Sequence, residues 1–195
     1  MNPQREARDA RHRTRQDEII AAARRCFRQS GFHGASMAQL ASAARLSVGQ
    51  IYRYFPSKDA LIEEMVKRIV DGRVAAMSAQ SDASHIADMI ARRETLHDED
   101  EMLMLEVAAE ASRNPRVSDI LQAAETRLFH NACEKMRADY PHLTEPQRAA
   151  CVEVLAVLIE GTAFRRLTTQ KASADLLHTL YKQMIHNLVN PSEDK

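Results

Sequence analysis

An all-α fold of about nine helices is the class this chain predicts. Three observations carry it. Glycine and proline number only 5 and 6 among 195 residues, while alanine, leucine, methionine, arginine and glutamate recur. Those residues cost least in a helix, and a sheet of this size would need many more turn residues. Apolar positions recur every three or four residues, and no run alternates as a half-buried strand does. The hydroxyl-x-x-glutamine signature of a helix start occurs at Ser36/Gln39, Ser47/Gln50 and Thr144/Gln147.

The elements follow in order. Thr14 and Asp17 open a first helix, on which Ile19, Ala23 and Phe27 make one apolar stripe ending near Gly31. Residues 1–13, basic through Arg5, Arg8, Arg11 and Arg13, are expected to be a flexible tail. Ser36 caps a second helix and Ser47 a third, and Leu40 and Leu46 can then pack beneath Ile51 and Phe55 as a three-helix core. Pro56 stops the third helix, because the residue before a proline is pushed out of the α region. Ser57 caps a fourth helix reaching about Ala79, with Leu61, Met65, Ile69 and Val70 on its buried face. Beyond a polar break at 81–84, helices are predicted over 84–96, 100–113, 115–139, 145–168 and 173–190. Pro115 and Pro146 suit first turns, and the acidic run Asp98–Glu101 suits a helix start. The expected domains are the tail, a small helical domain over 14–57 and a larger one over 58–195.

Net charge is zero, yet its distribution is uneven. Residues 1–58 hold eleven lysines and arginines against four acids, and the remainder holds sixteen against twenty-three. The amino-terminal part is built to meet a polyanion. The three cysteines, Cys26, Cys133 and Cys151, form no C-x-x-C pair and fit a reducing compartment, and Cys26 beside Arg24 and Arg25 is a candidate thiol sensor. The arginine-rich start lacks the apolar core of a signal peptide, and Val154–Ile159 is far too short to span a bilayer. A cytoplasmic location without membrane attachment is expected. No glycine-rich phosphate loop, H-E-x-x-H or nucleophile motif is present, and the eight histidines lack metal-ligand spacing. No enzymatic activity, cofactor or metal is therefore expected.

Two short helices, a tight connection and a third helix within residues 36–58 make a helix-turn-helix DNA reader. The groove of B-DNA accepts one helix presented at its N-terminal end. Ser47 and the amides of the first turn can hold a phosphate, and Gly49 lets a backbone approach. Gln50 either bonds adenine through its amide or completes its capping box, since one side chain cannot easily do both. Tyr52 and Tyr54 flank Arg53 and offer hydroxyls to phosphates, with Phe55 as the apolar anchor. The cluster Tyr52-Arg53-Tyr54-Phe55, followed by Ser57-Lys58 and Leu61-Ile62, resembles the TetR family of transcriptional regulators over about residues 14–65. The resemblance implies DNA contacts from Val48, Gly49, Gln50, Tyr52, Arg53 and Tyr54, with Lys58 clamping the backbone. The family usually has glycine where this chain has Arg45, so the arginine implies either strain at a positive φ or a slightly different turn, and its side chain either touches phosphate or points to solvent. The candidate DNA-contacting set is Ser36, Arg45, Ser47, Val48, Gly49, Gln50, Tyr52, Arg53, Tyr54 and Lys58.

One such module touches few base pairs, so a homodimer on a palindromic or pseudopalindromic duplex operator is expected. Val152, Leu155 and Ile159, with Leu177, Leu180, Tyr181, Met184 and Leu188 on the last helix, are the candidate interface of a four-helix bundle. An ordinary core helix would show the same stripe. Met89, Met102, Met104, Met136, Phe129 and Phe164 fit a plain core or an adaptable ligand pocket. The resemblance implies the pocket, and with it a repressor released from its operator by a small hydrophobic effector. Glu106, Glu110 and Glu160 are either solvated acids or partners of a cationic effector, giving the candidate ligand set Met102, Glu106, Glu110, Phe129, Glu160 and Phe164. Other readings are a ligand-independent architectural or division-linked DNA-binding protein of the same fold, and a redox-sensing repressor.

Overall fold

A computed structural model describes residues 3–79, 83–93 and 98–190, and nine helices make up its regular structure among them. They are α1 (Pro3–Gly34), α2 (Met37–Ala43), α3 (Val48–Ile51), α4 (Lys58–Ala79), α5 (Ala83–Arg92), α6 (Asp98–Ala111), α7 (Pro115–Asp139), α8 (Glu145–Arg165) and α9 (Ala174–Val189). The predicted break at 81–84 falls largely outside the described residues.

The main departure from expectation is α1. It begins at Pro3 and not at Thr14, so residues 3–13 are helical and not a flexible tail. The reason is local: Gln4–Arg15 contains no glycine or proline, and a proline suits the first helical position. The helix kinks at Gly31, whose φ of 66° and ψ of 171° belong to no helix. A Cβ there would stand 3.2 Å from Glu106 Oε2, so both conformation and space favour glycine. Beyond the kink, Lys58 Nζ donates to the carbonyls of Phe32 at 2.6 Å and Ala35 at 3.3 Å.

The chain divides into two compact units, one of residues 1–68 with 106–121, the other of 69–105 with 122–195. The first is larger than the predicted 14–57. Its core is Ile19, Ala23 and Phe27 of α1, Leu40 of α2, Ile51 of α3, Phe55, and Leu61, Ile62, Met65 and Val66 of α4, all buried. Phe27 and Phe32 meet edge to face with ring centroids 4.5 Å apart. Val107 and Val117 are buried, and Arg116 ties α7 to Glu63 of α4 at 2.9 Å.

In the second unit, Met136, Leu143, Cys151, Val152 and Val189 form a buried cluster, against which Phe129, Tyr140, Leu155 and Leu188 pack. His142 Nε2 lies 2.8 Å from the carbonyl of Val189, joining the α7–α8 connection to the end of α9. Arg93, in a left-handed conformation at φ 54°, donates to the carbonyls of Arg165 and Thr168.

Candidate nucleic-acid interface and cavity

Residues 36–55 assemble by their caps. Ser36 Oγ accepts from Gln39 N at 3.3 Å while Gln39 Oε1 accepts from Ser36 N at 2.8 Å. Ser47 and Gln50 repeat this, at 3.3 and 2.9 Å. Between them α2 ends in a double bond: Leu46 N donates to Ala41 O at 2.8 Å and Arg45 N to Ser42 O at 3.0 Å. That is a Schellman closure, and it requires the left-handed residue that usually is glycine. Arg45 occupies it at φ 56°, the strained of the two alternatives. Its side chain is exposed. The closure fixes the angle between α2 and α3, and Leu40 and Ile51, fully buried, lock it from beneath.

The face left outward by this packing is Val48 at 45% exposure, Gly49, Tyr52 at 46% and Arg53. A Cβ on Gly49 would meet no atom within 4 Å, so the fold does not demand glycine there. Open space outside the helix start is what its small size preserves.

Three predicted DNA-contacting residues also have partners within the protein. Gln50 Oε1 accepts from Ser47 N at 2.9 Å, so in the free protein its amide serves the capping box, while the side chain stays exposed. Lys58 is part-buried and caps α1, where a cation offsets the negative end of the helix and satisfies orphan carbonyls. Tyr54 is half-buried, its ring against His12 with centroids 4.9 Å apart. That contact sets the early turns of α1, with exposed Arg8 and Arg11, beside the α3 segment. Arg11 Nε donates to its own helix at Ala7 O, leaving the rest of the guanidinium outward.

The second unit holds a cavity of about 700 Å³ lined mainly by apolar side chains from α4, α5, α7, α8 and α9, among them Met77, Met89, Phe129, Met136 and Ile185. Of the predicted ligand residues, Phe129 and Glu160 line it. The other four do not. Met102 and Phe164 are exposed, and Glu106 and Glu110 belong to the first unit. Glu110 is buried, pairing with Arg113 Nη2 at 2.8 Å and accepting from Asn114 Nδ2 at 3.5 Å, so it braces the α6–α7 turn. Glu106 faces Gly31. Sequence reading missed Glu125 and Arg73, since helical spacing alone does not tell which charged side chains a fold turns inward. Burial, then the neighbouring Glu160 carboxylate, pushes the Glu125 carboxyl above its ordinary range, while Arg73 acts against the rise.

The predicted dimer residues separate into two sets. Val152 is core, Leu155 and Leu188 pack on that core, and Ile159 lines the cavity. Leu177 and Tyr181 are half-buried. Leu180 and Met184 are exposed, and with them Val154 and Val157 of α8 and Leu176 of α9, which lie outside the predicted set. Burial pushes the thiols of Cys133 and Cys151 up, away from the reactive thiolate. Among the described residues no group of histidine, cysteine or acid side chains is arranged to hold a metal, and no helix is long and apolar enough to cross a membrane.

Comparison places this architecture in a known class. Residues 19–65 match the model of bacterial regulatory proteins of the tetR family, and residues 78–191 match the tetracyclin repressor-like C-terminal domain. The chain therefore belongs to the TetR family of helix-turn-helix transcriptional regulators, which are DNA-binding proteins and not enzymes. It is similar to HTH-type transcriptional regulator UidR of Escherichia coli (strain K12), 31% identical over 140 residues, which are 70% of this chain and 69% of that one. Salmonella enterica GusR shares the fold with a TM-score of 0.76 at 21% identity, covering 91% of this chain and 96% of that one. So does a transcriptional regulator from Saccharomonospora viridis solved in complex with choline, with a TM-score of 0.66 at 22% identity over 88% and 95% of the two chains.

Proposed function

We propose that the protein is a homodimeric repressor that lies on a palindromic or pseudopalindromic operator and leaves it when a small, largely apolar effector enters the cavity of the second unit. The reading face is Val48, Gly49, Tyr52 and Arg53, with Ser36, Arg45 and Ser47 at its edges. The observation that carries this reading is the capped α3 segment: its apolar side is wholly buried while these four residues stay outward. Phosphate contacts from arginines hold register, and base-edge contacts from α3 supply sequence preference. The excess of basic residues in 1–58 provides the electrostatic share of affinity, which falls steeply with salt. A regulator of chromosomal operators acts in the cytoplasm, and that is the location that belongs to this reading.

Dimerisation is supported by the exposed stripes of Val154 and Val157 on α8 and Leu176, Leu180 and Met184 on α9. Exposed apolar residues recurring on two helices that meet at Cys151 and Leu188 are the ordinary mark of a partner surface. Effector control is supported by the cavity, whose volume falls in the range for small-molecule sites. Release follows only if the effector favours a state that holds operator poorly.

Operator binding by the purified protein, titrated with and without candidate effectors, tests the reading. A cavity-filling variant, Ala156→Trp, is expected to bind operator normally and to be deaf to every effector. An Ala156→Trp protein released as readily as the wild type would remove the cavity from the mechanism.

A further inference from the structure

We propose that the first turns of α1 are a second DNA-binding element, a preformed helix whose Arg8 and Arg11 take backbone phosphates of the operator beside the base pairs that α3 reads. The proposal rests on α3 being the reading element and adds a contact of different chemistry, one without sequence preference.

Helical periodicity sorts the charges of this segment. With a turn every 3.6 residues, Arg8, Arg11, His12 and Arg15 fall within about 100° of one another around α1, whereas Glu6, Asp9, Arg13 and Asp17 fall outside that face. Ile19 and Ala23, both buried, lie on the same side one and two turns further along. The basic stripe is therefore the continuation of the buried face, carried past the edge of the core. What it meets there is the α3 segment. Tyr54 belongs to the last turn of that segment, its N donating to Ile51 O at 3.0 Å, and the His12 ring lies against the Tyr54 ring with centroids 4.9 Å apart. The basic stripe is thereby held next to exposed Tyr52 and Arg53.

The guanidinium groups on this stripe are open to a phosphate. Arg15 pairs with Glu18, the acid nearest the face, and so neutralises it. Arg8 and Arg11 are exposed; Arg8 Nε stands 4.0 Å from Asp9 Oδ1, at the limit of an ion pair, and Arg11 commits only its Nε, to Ala7 O at 3.2 Å. Exposed pairs of this kind are weak and screened by water, so a phosphate displaces them readily. One turn apart, the two arginines can meet successive phosphates of one strand. Because the segment is already helical and docked, its arginines reach the duplex without the ordering cost that a flexible arm would carry.

Affinity of the full-length protein for its operator fragment and for an unrelated duplex, followed against salt concentration, tests this. Arg11→Gln is expected to flatten the log–log salt slope by about 1.8, since a dimer loses two phosphate contacts at about 0.9 each, and to weaken both duplexes by the same factor. Arg8→Gln is expected to do the same, and Arg11→Lys to keep the slope. Arg13→Gln removes the same charge two residues along but off the face, and is expected to leave the slope unchanged; all these positions are exposed, so folding is not at stake. Equal slopes for Arg11→Gln and Arg13→Gln, whether both fall or neither does, overturn the proposal, because net charge alone would then account for the attraction. Loss confined to the operator overturns it as well, since that is base reading. If Tyr52→Ala abolishes site selection while Arg8→Gln and Arg11→Gln bind like the wild type, α3 stands and this second element falls; a wild-type protein that holds no duplex at low salt removes both.

Discussion

Lys58 shows how a side chain's role depends on what the fold has already asked of it. Read in sequence, it stands at the start of α4 and resembles a phosphate clamp, but its ammonium closes the open end of α1 beyond the Gly31 kink. Lys58→Ala is therefore expected to lower stability by about 1–2 kcal/mol, read by thermal or urea unfolding. A variant that unfolds like the wild type and loses affinity on every DNA equally would restore the clamp. Gly49 is expected to behave in the opposite sense. Alanine there meets no atom and favours a helix, so Gly49→Ala is expected to stabilise the free protein by about 0.5–1 kcal/mol while weakening operator binding. Unfolding and binding measured on the one variant give both signs. Gln50 was open between capping and base reading in the sequence, and its bond to Ser47 N shows which competitor won in the free protein. Such choices are hidden in a sequence because both partners sit at the same spacing either way.

At the scale of elements, helices with a local cause were legible. The Ser36 and Ser47 caps and the start at Pro115 each act within four residues, and α2, α3 and α7 begin where those signals put them, whereas α3 ends at Ile51, before Pro56 is reached. The first turns of α1 were missed because basic composition was read as a tail, although the same residues form helices readily. The last two helices show a different limit. Their apolar stripes are plain in the sequence, but which residues of a stripe turn inward depends on the neighbours, and on α9 the fold buries Ile185 and Val189 while exposing Leu176, Leu180 and Met184. Leu180→Arg and Val157→Arg, at sites 54% and 67% exposed, are expected to yield folded monomers by sedimentation, with operator affinity lost far beyond what one module's change explains. A variant that remains dimeric would move the interface elsewhere.

For the whole molecule, charge and burial are divided between tasks. The basic residues concentrate in the first unit and the acid surplus in the rest, so a neutral total conceals a polarised chain. That division was readable from residue counts; the cavity was not, because it depends on helices far apart in sequence converging on Glu125 and Glu160. The cavity also gives the ligand-free protein a pH signature. Glu125 keeps its proton to higher pH when folded than when unfolded, so its contribution to stability is full below the ordinary glutamate range and is lost as pH rises through the raised value. Unfolding followed across that window should show the decline, and Glu125→Gln should flatten it; an unchanged slope would mean the group titrates normally.

The most direct measurement is footprinting of the purified protein on its host's genomic DNA, followed by the same experiment with Tyr52→Ala and Arg53→Ala. Two protected half-sites on one face of the duplex, about 10 base pairs or a multiple apart from centre to centre, are the predicted result, with protection lost in both variants. A lack of any protected site at low salt, or protection that survives both substitutions, would contradict the assignment of α3 as the reading element.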